Sequence, residues 1–342
     1  MTGTEGLRAL VLAAGLGTRL QPLTHARAKA AAPVDGEPLA RRAIRWLVGH
    51  GVRDLVVNLH HKPESIAAAV GDGGDLGARV RYSWESPVLG SAGGPRHALP
   101  LLLDGRGPSR RSGTAAEADS GAAQTFLIVN GDTLTDVDVP RMLEHHRRSG
   151  ALVTMALIPN PRPDKYGGVL LDADGAVTGF TRRAALGAPA LSERQRVEGF
   201  HFIGPQVVEA DAFLPLEDGV PAETVMGIYP ALMSNRPGSV RGFVSDATFQ
   251  DIGTPADLLQ TSLDLAAADG RRDRPRWGRN PRVAATARVT RSVLWDDVTV
   301  GAGASLTECV VADGVHIPED AVFARCAIVR TRGELEIAKL DK

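Results

Sequence analysis

Short apolar segments alternate with amphipathic helical segments along the first part of the chain, and this order restricts the possible folds more than any other feature of the sequence. Residues 7–14 (LRALVLAA) form an apolar run typical of a buried parallel strand, and residues 38–50 carry apolar side chains on one helical face. Further strands are predicted at 53–60, 78–85 and 125–130, and further helices at 62–70, 91–102 and 139–150. The alternation predicts an α/β fold with a doubly wound, mixed but mostly parallel sheet and helices on both faces.

The pattern becomes mixed from about residue 151, which indicates a lid or substrate subdomain built onto the sheet. The predicted elements are a strand at 151–158, a hairpin at 167–180 that turns at Asp174-Gly175, a strand at 196–204, a helix at 222–234, a strand at 240–245 and a helix at 255–269. Together these segments define a first domain over residues 1–269. Residues 104–124 are rich in Gly, Ser and Ala without periodicity, and we interpret them as a disordered insertion in a surface loop.

The C-terminal part of the chain contains a repeat of 17 residues. When residues 290–306 are placed above residues 307–323, their apolar side chains coincide, and a third pass begins soon after. Short apolar steps about every six residues predict a left-handed parallel β-helix over 281–330, with an irregular β-sandwich as the alternative. Residues 270–280 then form a linker whose arginines are expected to be solvated, and residues 331–342 form a C-terminal tail.

The overall charge argues against polyanionic partners. The net charge is −1, so the chain lacks the basic surface that binding to nucleic acid or to an anionic membrane requires. No apolar run approaches the ~20 residues of a membrane span, and the N-terminus shows neither the basic segment nor the apolar stretch of a signal peptide. The two cysteines are expected to be small buried hydrophobes. We therefore expect a cytoplasmic protein with neither nucleic acid nor a membrane as partner.

A glycine-rich loop after the first strand has the composition of a phosphate-binding loop. Gly15 and Gly17 allow the backbone to approach a phosphate closely, and Arg19 and Lys29 add two cations to the same connection. The loop does not fit the dinucleotide-binding fingerprint, because Leu20 occupies the third glycine position. It does not fit the nucleoside-triphosphatase loop either, since no Lys-Ser/Thr pair follows its last glycine. The residues alone thus indicate phosphate binding of another type.

Four motifs in one order resemble those of the sugar-1-phosphate nucleotidyltransferases, also called NDP-sugar pyrophosphorylases. Residues 12–24 reproduce the family's L-A-A-G-x-G-T-R-L-x-P-L-T segment. Lys29 stands where the family has a lysine between two prolines, which are alanines here. The segments ESPVLGSAG (85–93), NGD (130–132) and DIGTP (251–255) resemble the family's L-G-T-A-G, N-G-D and D-I-G-T-P segments. The resemblance covers residues 7–268, and several family members also carry a β-helical tail.

The resemblance implies attack by a sugar 1-phosphate oxygen on the α-phosphorus of a nucleoside triphosphate, which yields an NDP-sugar and pyrophosphate. Because a phosphate monoester is already largely dianionic at neutral pH, this chemistry needs positioning and charge neutralisation rather than a protein base. Arg19, Lys29 and Asp132 are the implied catalytic residues, and Asp132 and Asp251 are the implied ligands of Mg²⁺, which prefers oxygen ligands. The implied nucleotide-binding residues are Leu12, Ala13, Ala14, Gly15, Gly17, Thr18, Gly90, Ser91 and Gly93.

The sugar side departs from the family pattern. Family members have Glu-Lys-Pro after the hairpin strand, where this sequence reads Thr181-Arg182-Arg183. Arg183, or Arg182, remains as a cation that could clamp the sugar phosphate through two hydrogen bonds. The Glu198 carboxylate is a substitute partner for a sugar hydroxyl. The implied sugar-phosphate-binding residues are Tyr166, Gly167, Arg183, Glu198 and Gly199.

Several functions remain open at this level. Because the domain order resembles that of mannose-1-phosphate guanylyltransferases, the first hypothesis is an enzyme that makes GDP-mannose or a related GDP-sugar. Uridylyl or thymidylyl transfer is the alternative within the family, and a non-catalytic regulatory paralogue that binds NDP-sugar is the alternative outside catalysis. A β-helical acyltransferase is a third class, although about three coils are short for an acyl-CoA site. The implied substrates are an NTP and a sugar 1-phosphate, and the β-helix is expected to mediate contacts in a homo-oligomer.

Overall fold

An α/β domain is followed by a stack of short strands. The computed structural model describes residues 3–103, 124–163, 165–181 and 199–340. The insertion predicted at 104–124 lies outside the described residues, apart from Gln124. The helices are α1 (Leu39–Gly49), α2 (Pro63–Val70), α3 (Gly90–Leu102), α4 (Val139–Ser149), α5 (Tyr229–Asn235) and α6 (Pro255–Ala268). None of these helices in the described ranges has the length and apolar character needed to cross a membrane.

The strands of the α/β domain include all the predicted strands in the predicted order, and four short strands besides. They are β1 (Arg8–Leu12), β2 (Pro33–Val34), β3 (Glu37–Pro38), β4 (Asp54–Leu59), β5 (Arg79–Trp84), β6 (Thr125–Asn130), β7 (Thr133–Thr135), β8 (Val153–Pro159), β9 (Gly168–Leu171), β10 (Val177–Thr181), β11 (Phe200–Glu209), β12 (Val240–Val244) and β13 (Phe249–Asp251). Within the described residues the central sheet has nine strands, in the order β10-β9-β11-β6-β1-β4-β5, with β8 and β12 joined through β11.

The centre of the sheet is parallel and its far side is mixed. β1 lies between β6 and β4, and these three strands and β5 run parallel. β11 is antiparallel to β6 and β8, and β8 pairs with β12 in parallel. The predicted mixed, mostly parallel sheet is therefore confirmed. Since Leu12 is in register with Asn130, the sheet also places the glycine loop directly beside the NGD segment.

The central strands send alternate side chains into two apolar cores. Ala9 and Val11 of β1 face the core that contains buried residues of α1, α2 and α4. Leu10, between them, faces the core that contains buried residues of α3. Phe126 and Leu127 of β6 divide between the two cores in the same way. This period of two explains why the predicted strands read as continuous apolar runs, since both faces of a doubly wound sheet are covered.

Two small sheets were missed in the sequence. β2 pairs with β3, and β7 pairs with β13, both antiparallel. Strands of two or three residues are too short to show the alternation by which a strand is recognised. The predicted hairpin of β9 and β10 is confirmed, whereas the helix predicted at 222–234 begins as a π-helical turn over Thr224–Ile228 and continues into α5.

All but the last of the C-terminal strands stack as a parallel β-helix. They are β14 (Arg282–Val283), β15 (Arg288–Thr290), β16 (Val293–Leu294), β17 (Thr299–Val300), β18 (Ser305–Thr307), β19 (Val310–Val311), β20 (His316–Ile317), β21 (Val322–Ala324), β22 (Cys326–Thr331) and β23 (Glu334–Lys339). Val293 is in register with Val310, and Val300 with Ile317, as the 17-residue repeat predicts. The inward side chains of successive coils form one buried core.

The segment 331–342, predicted to be a C-terminal tail, contains the strand β23 and is described as far as Leu340. The chain reverses at Arg332-Gly333, and β23 then pairs with β22 along its whole length in antiparallel fashion. β23 thereby covers an edge that would otherwise expose unpaired backbone groups. A reversal of direction after a run of parallel coils cannot be found from a repeat, because β23 does not continue it.

The arginines of the predicted linker are not simply solvated, which corrects that expectation. Arg271 binds the carboxylate of Asp35, in the turn between β2 and β3, through NH1–Oδ1 and NH2–Oδ2 contacts of 2.9 and 2.5 Å. Asp35 is buried. Arg279, by contrast, contacts the β-helix: its NH2 lies 2.9 Å from Asp296 Oδ2. A buried carboxylate needs a charged or hydrogen-bonding partner, so these arginines connect the two domains.

Replacement of Asp35 by Asn is expected to lower the free energy of unfolding at pH 7 by about 2 kcal/mol, because a neutral amide leaves Arg271 without its buried partner. Burial favours a higher pKa for Asp35, but hydrogen bonds from the Arg271 side chain and the Arg276 backbone hold its pKa below the ordinary value. Such a carboxylate stabilises the fold above its unfolded pKa and loses this effect as the pH falls through the folded pKa. The difference between wild type and variant should therefore shrink below about pH 4.

Urea denaturation at pH 7 and at pH 3 measures both effects. Asp269→Asn is the matched control, since Asp269 binds the same Arg271 from a half-exposed position. We expect it to change the free energy of unfolding by less than about 0.5 kcal/mol. Equal losses in the two variants would contradict the role assigned to Asp35.

Candidate active site

A cavity of about 360 Å³ lies at the carboxyl end of β1, where the glycine-rich loop leaves the sheet. We call it the loop cavity. Eight of the nine residues predicted to bind nucleotide line it, namely Leu12, Ala13, Ala14, Gly15, Gly17, Thr18, Gly90 and Ser91. Arg19, Lys29 and Asp132 line it as well. The structure therefore brings the predicted phosphate loop, both predicted cations and one predicted metal ligand to one place.

Gly17 determines the path of the loop. Its φ of 62° lies in the left-handed region that favours glycine. A Cβ atom at this position would lie 2.8 Å from Thr24 Cγ2 and 3.1 Å from Lys29 Cβ. The loop thus folds back tightly on itself, which brings Lys29 beside a glycine that precedes it by twelve positions.

Two buried polar residues anchor the start of the loop. Asn58, at the end of β4, accepts hydrogen bonds on Oδ1 from the backbone nitrogens of Ala13 and Ala14, at 2.5 and 3.2 Å. Its Nδ2 donates to Glu85 Oε1 at 2.7 Å, and Glu85 Oε2 accepts from the Leu89 nitrogen at 2.8 Å. Asn58 and Glu85 form a bridge from the glycine loop to the start of α3. No sequence motif indicated a role for Asn58, although a buried polar residue at the end of an apolar strand is the signal that could have revealed it.

Gly93 is the one predicted nucleotide-binding residue that does not line the loop cavity. A Cβ atom there would lie 2.6 Å from the Val220 carbonyl oxygen. The backbone nitrogens of Ala92 and Gly93 both donate to the Ala222 carbonyl, at 2.9 and 3.2 Å. Gly93 therefore allows close packing between α3 and the 220–222 segment, rather than contact with the loop cavity.

The β7–β13 pair brings the two predicted metal ligands together. Asp251, at the end of β13, is in register with Thr133, which directly follows Asp132. Both carboxylates line a second cavity, of about 270 Å³, which we call the carboxylate cavity. The helix that follows is capped by Thr254 and Asp257, so the cap does not use Asp251.

Three cations surround these carboxylates. Lys29 Nζ lies 2.6 Å from Asp132 Oδ2, while Arg19 NH1 and Lys165 Nζ lie 4.0 and 3.9 Å from Asp251 Oδ2. Lys165 was not predicted from the sequence, although it directly precedes the predicted Tyr166. Positive groups beside carboxylates suit a ligand that carries both a cation and phosphate groups.

The two carboxylates fit a Mg²⁺ site that is completed by a substrate. Among the described residues there is no cluster of three or more His, Cys, Asp or Glu side chains that could hold a metal ion. Mg²⁺ is commonly bound by one or two carboxylates together with substrate phosphates and water, rather than by a full protein cage. Asp132 and Asp251 supply the expected number and type of oxygen ligands.

An aromatic cluster forms the far wall of the carboxylate cavity. The rings of Tyr166 and His201 stack with centroids 4.2 Å apart, and Phe249 meets His201 edge-on at 4.8 Å. Burial lowers the pKa of His201 to about 4, against the opposing effects of Asp251 and a hydrogen bond to the Gly167 backbone. The ring is therefore neutral at pH 7 and offers an apolar face. The sequence patterns did not reveal His201 and Phe249, because a single ring side chain in a short strand reads as a core residue, even though Phe249 lies only two positions before Asp251.

The remaining predicted sugar-side residues divide into two groups. Gly167 hydrogen-bonds to His201, as above, and the carbonyl of Gly199 accepts a hydrogen bond from the Asn160 nitrogen at 3.3 Å. Gly167 directly follows Tyr166, and Gly199 directly precedes β11, the strand that contains His201. Arg182, Arg183 and Glu198 lie outside the described residues.

Comparison with known protein families decides the identity of the α/β domain. Residues 8–268 match the family described as Nucleotidyl transferase. The chain belongs to this family. The nucleotidyltransferase also matches a family described as GlmU-like, C-terminal hexapeptide, over residues 276–325, in agreement with the β-helix.

Two curated relatives align with the chain in sequence, and a solved structure shares its fold. A mannose-1-phosphate guanylyltransferase of Mycobacterium tuberculosis is 26% identical and aligns over 94% of this chain and 84% of its own length. A UTP–glucose-1-phosphate uridylyltransferase of Synechocystis is 28% identical over 59% of this chain and 50% of its own. The crystal structure of HddC from Yersinia pseudotuberculosis superposes with a TM-score of 0.57 at 20% identity, and covers 75% of this chain and 97% of HddC. The predicted family, fold class and enzyme class are confirmed.

Proposed function

We propose that this nucleotidyltransferase joins a nucleoside triphosphate to a sugar 1-phosphate and releases pyrophosphate. The observation that carries the proposal is the wall shared by two cavities: Arg19, Lys29, Asn130 and Asp132 line both the loop cavity and the carboxylate cavity. A nucleotide in the first cavity and a sugar phosphate in the second would meet at this wall. A sugar 1-phosphate oxygen then bonds to the α-phosphorus as the bond to pyrophosphate breaks. The second pKa of a phosphate monoester is ~6, so no residue needs to remove a proton from the nucleophile.

The chain's own residues supply charge and position in this proposal. Arg19 and Lys29 neutralise the triphosphate and the departing pyrophosphate, and Gly15 and Gly17 let the phosphates approach the backbone. Asp132 and Asp251 would hold Mg²⁺. When bound, Mg²⁺ offsets the negative charge that develops on the phosphate oxygens and helps to orient them.

The sugar is assigned to the carboxylate cavity. Support comes from the Tyr166 and His201 rings, whose apolar faces suit the C–H groups of a pyranose, and from Lys165 beside Asp251. Gly167 and Gly199 allow the chain to pass close to the sugar. Sugar-phosphate binding by Arg183 and Glu198 stays a prediction from the sequence.

Mannose 1-phosphate and GTP are the substrates we propose. The support is that a relative aligned along both domains, over 94% of this chain, is named a mannose-1-phosphate guanylyltransferase. The uridylyltransferase relative aligns over only 59% of the chain. A cytoplasmic location, a homo-oligomer formed through the β-helix, and the lack of nucleic-acid or membrane partners stay predictions.

The test is a matrix of NTPs against sugar 1-phosphates with Mg²⁺, in which pyrophosphate release is measured. We expect the largest kcat/KM for GTP with mannose 1-phosphate, by roughly tenfold or more over other pairs. If pyrophosphate release were fastest with UTP or dTTP, the proposal of GTP as the donor would be wrong, but the proposed nucleotidyl transfer would stand. Nucleotide-sugar binding without release in any pair would overturn the reaction and favour a regulatory paralogue.

A further inference from the structure

The chain segment between Arg19 and Lys29, the two cations proposed to bind phosphate, packs against the β-helix. Leu20 and Leu23 follow Arg19 and are fully buried in one apolar cluster with Trp295 and Val310 of the β-helix. We call residues 20–28 the bridging segment, because it joins Arg19 to Lys29. Leu20 and Leu23 thus pack with the second domain, whereas Arg19 and Lys29, which flank the bridging segment, line the two cavities.

Arg27 fixes the bridging segment to two successive coils. Its Nε and NH2 donate to the two carboxylate oxygens of Asp313, both at 2.6 Å, and NH2 also donates to Asp296 Oδ2 at 2.7 Å. Asp296 and Asp313 are equivalent positions one 17-residue repeat apart. The guanidinium lies 5.7 Å from the centre of the Trp295 ring, and its side chain is 17% exposed. A planar guanidinium that binds two carboxylates and an aromatic ring is held in one orientation.

We infer that Arg27 is a positioning residue, through which the β-helix holds Lys29 and Arg19 in the geometry that the phosphates require. The inference rests on the proposed function. Arg27 precedes Lys29 by two positions, and Lys29 Nζ already lies 2.6 Å from Asp132. A displacement of about 1 Å at a catalytic group can cost a hundredfold in rate. The β-helix would then contribute to catalysis by orienting Lys29 and Arg19, in addition to any role in contacts between subunits.

The competing explanation is that Arg27 only joins two domains and affects the stability of the fold. Arg279 separates the two explanations, because it binds the same Asp296 through Nε and NH2, at 3.1 and 2.9 Å. Arg279 belongs to the 270–280 segment, lies outside the bridging segment, and its side chain is 84% exposed. It therefore shares a partner with Arg27 without touching the phosphate loop.

The experiment compares Arg27→Met and Arg279→Met in the full chain. We expect Arg27→Met to lower kcat/KM for the NTP by about tenfold or more, and Arg279→Met to change it by less than about twofold. Arg27→Lys should recover only part of the loss, since an ammonium cannot bind two oxygens of Asp313 in parallel. The Tm of each variant is recorded beside the kinetics. Equal kinetic effects of the two Met variants, or losses that follow Tm alone, would overturn the inference.

A second measurement does not depend on turnover. Hydrogen–deuterium exchange should become faster in peptides that cover residues 17–30 of Arg27→Met, and stay at the wild-type rate there in Arg279→Met. Unchanged exchange of these peptides in Arg27→Met overturns the inference even if the enzyme is active. Absence of pyrophosphate release by the wild type, with faster exchange in Arg27→Met, overturns the proposed function and leaves the loop-positioning contact supported.

Discussion

Replacement of Asp132 by Asn is expected to lower kcat by about a thousandfold, with little change in Tm. The carboxylate sits on the wall between the two cavities, where it is proposed to bind the metal ion, and it is only part-buried. Charge stabilisation by a metal ion contributes several kcal/mol, and ~4 kcal/mol corresponds to about a thousandfold in rate. Asn keeps the shape of the side chain but removes its negative charge. Pyrophosphate release at saturating substrates measures the effect.

Two companion variants make this prediction specific. Asp136→Asn is the control, because Asp136 accepts a hydrogen bond from the Thr248 nitrogen close to the β7–β13 pair but is not a wall residue of either described cavity. It should retain kcat within about twofold. The Asp132→Asn, Asp251→Asn double variant should be no worse than the more damaged single variant, since two ligands of one ion act as a unit. Additive losses would contradict a shared ion.

Replacement of Lys29 by Met is expected to lower kcat by about a hundredfold or more. Lys29 is nearly buried between the cavities, so the charge it would direct at phosphate oxygens is poorly screened by water. Loss of one donor aimed at developing negative charge typically costs about 10²–10³ in kcat. Met keeps the length and the apolar stem of the side chain. Steady-state kinetics with saturating NTP and sugar 1-phosphate measures the change.

The control for Lys29 is Lys339→Met, on the exposed outer strand β23. It removes the same charge from the chain and should leave kcat within about twofold. A Lys29→Met enzyme with near-normal kcat would contradict the role of this cation, whatever the outcome for the carboxylates. The two experiments thus test the positive and negative halves of the site separately.

The sequence was sufficient for the features that local patterns encode. Apolar runs and amphipathic helices predicted the doubly wound sheet, and the 17-residue repeat predicted the register Val293 with Val310. Strand ends in a parallel sheet meet at one edge, so the loop after β1 and the NGD segment after β6 could be expected together. Asp132 and Asp251 could be paired only through the family resemblance, because strands as short as β7 and β13 leave no periodic signal.

The features that were missed depend on contacts between distant parts of the chain. Arg271 and Asp35 are separated by 236 positions, so the linker arginines looked like surface charge. Gly93 packs against the 220–222 segment, which no local pattern could indicate. His201 and Lys165 reach the carboxylate cavity from β11 and from the loop before β9. In each case the role of the residue is set by the packing of elements, and pattern rules describe single elements only.

The reaction can be tested directly by ³¹P NMR of the wild-type enzyme with Mg²⁺, mannose 1-phosphate and GTP. We expect the signals of GTP and mannose 1-phosphate to fall together while those of pyrophosphate and GDP-mannose rise in equal amounts. Formation of GDP or inorganic phosphate instead would show attack at a different phosphorus, and would contradict the reaction assigned to the wall shared by the two cavities.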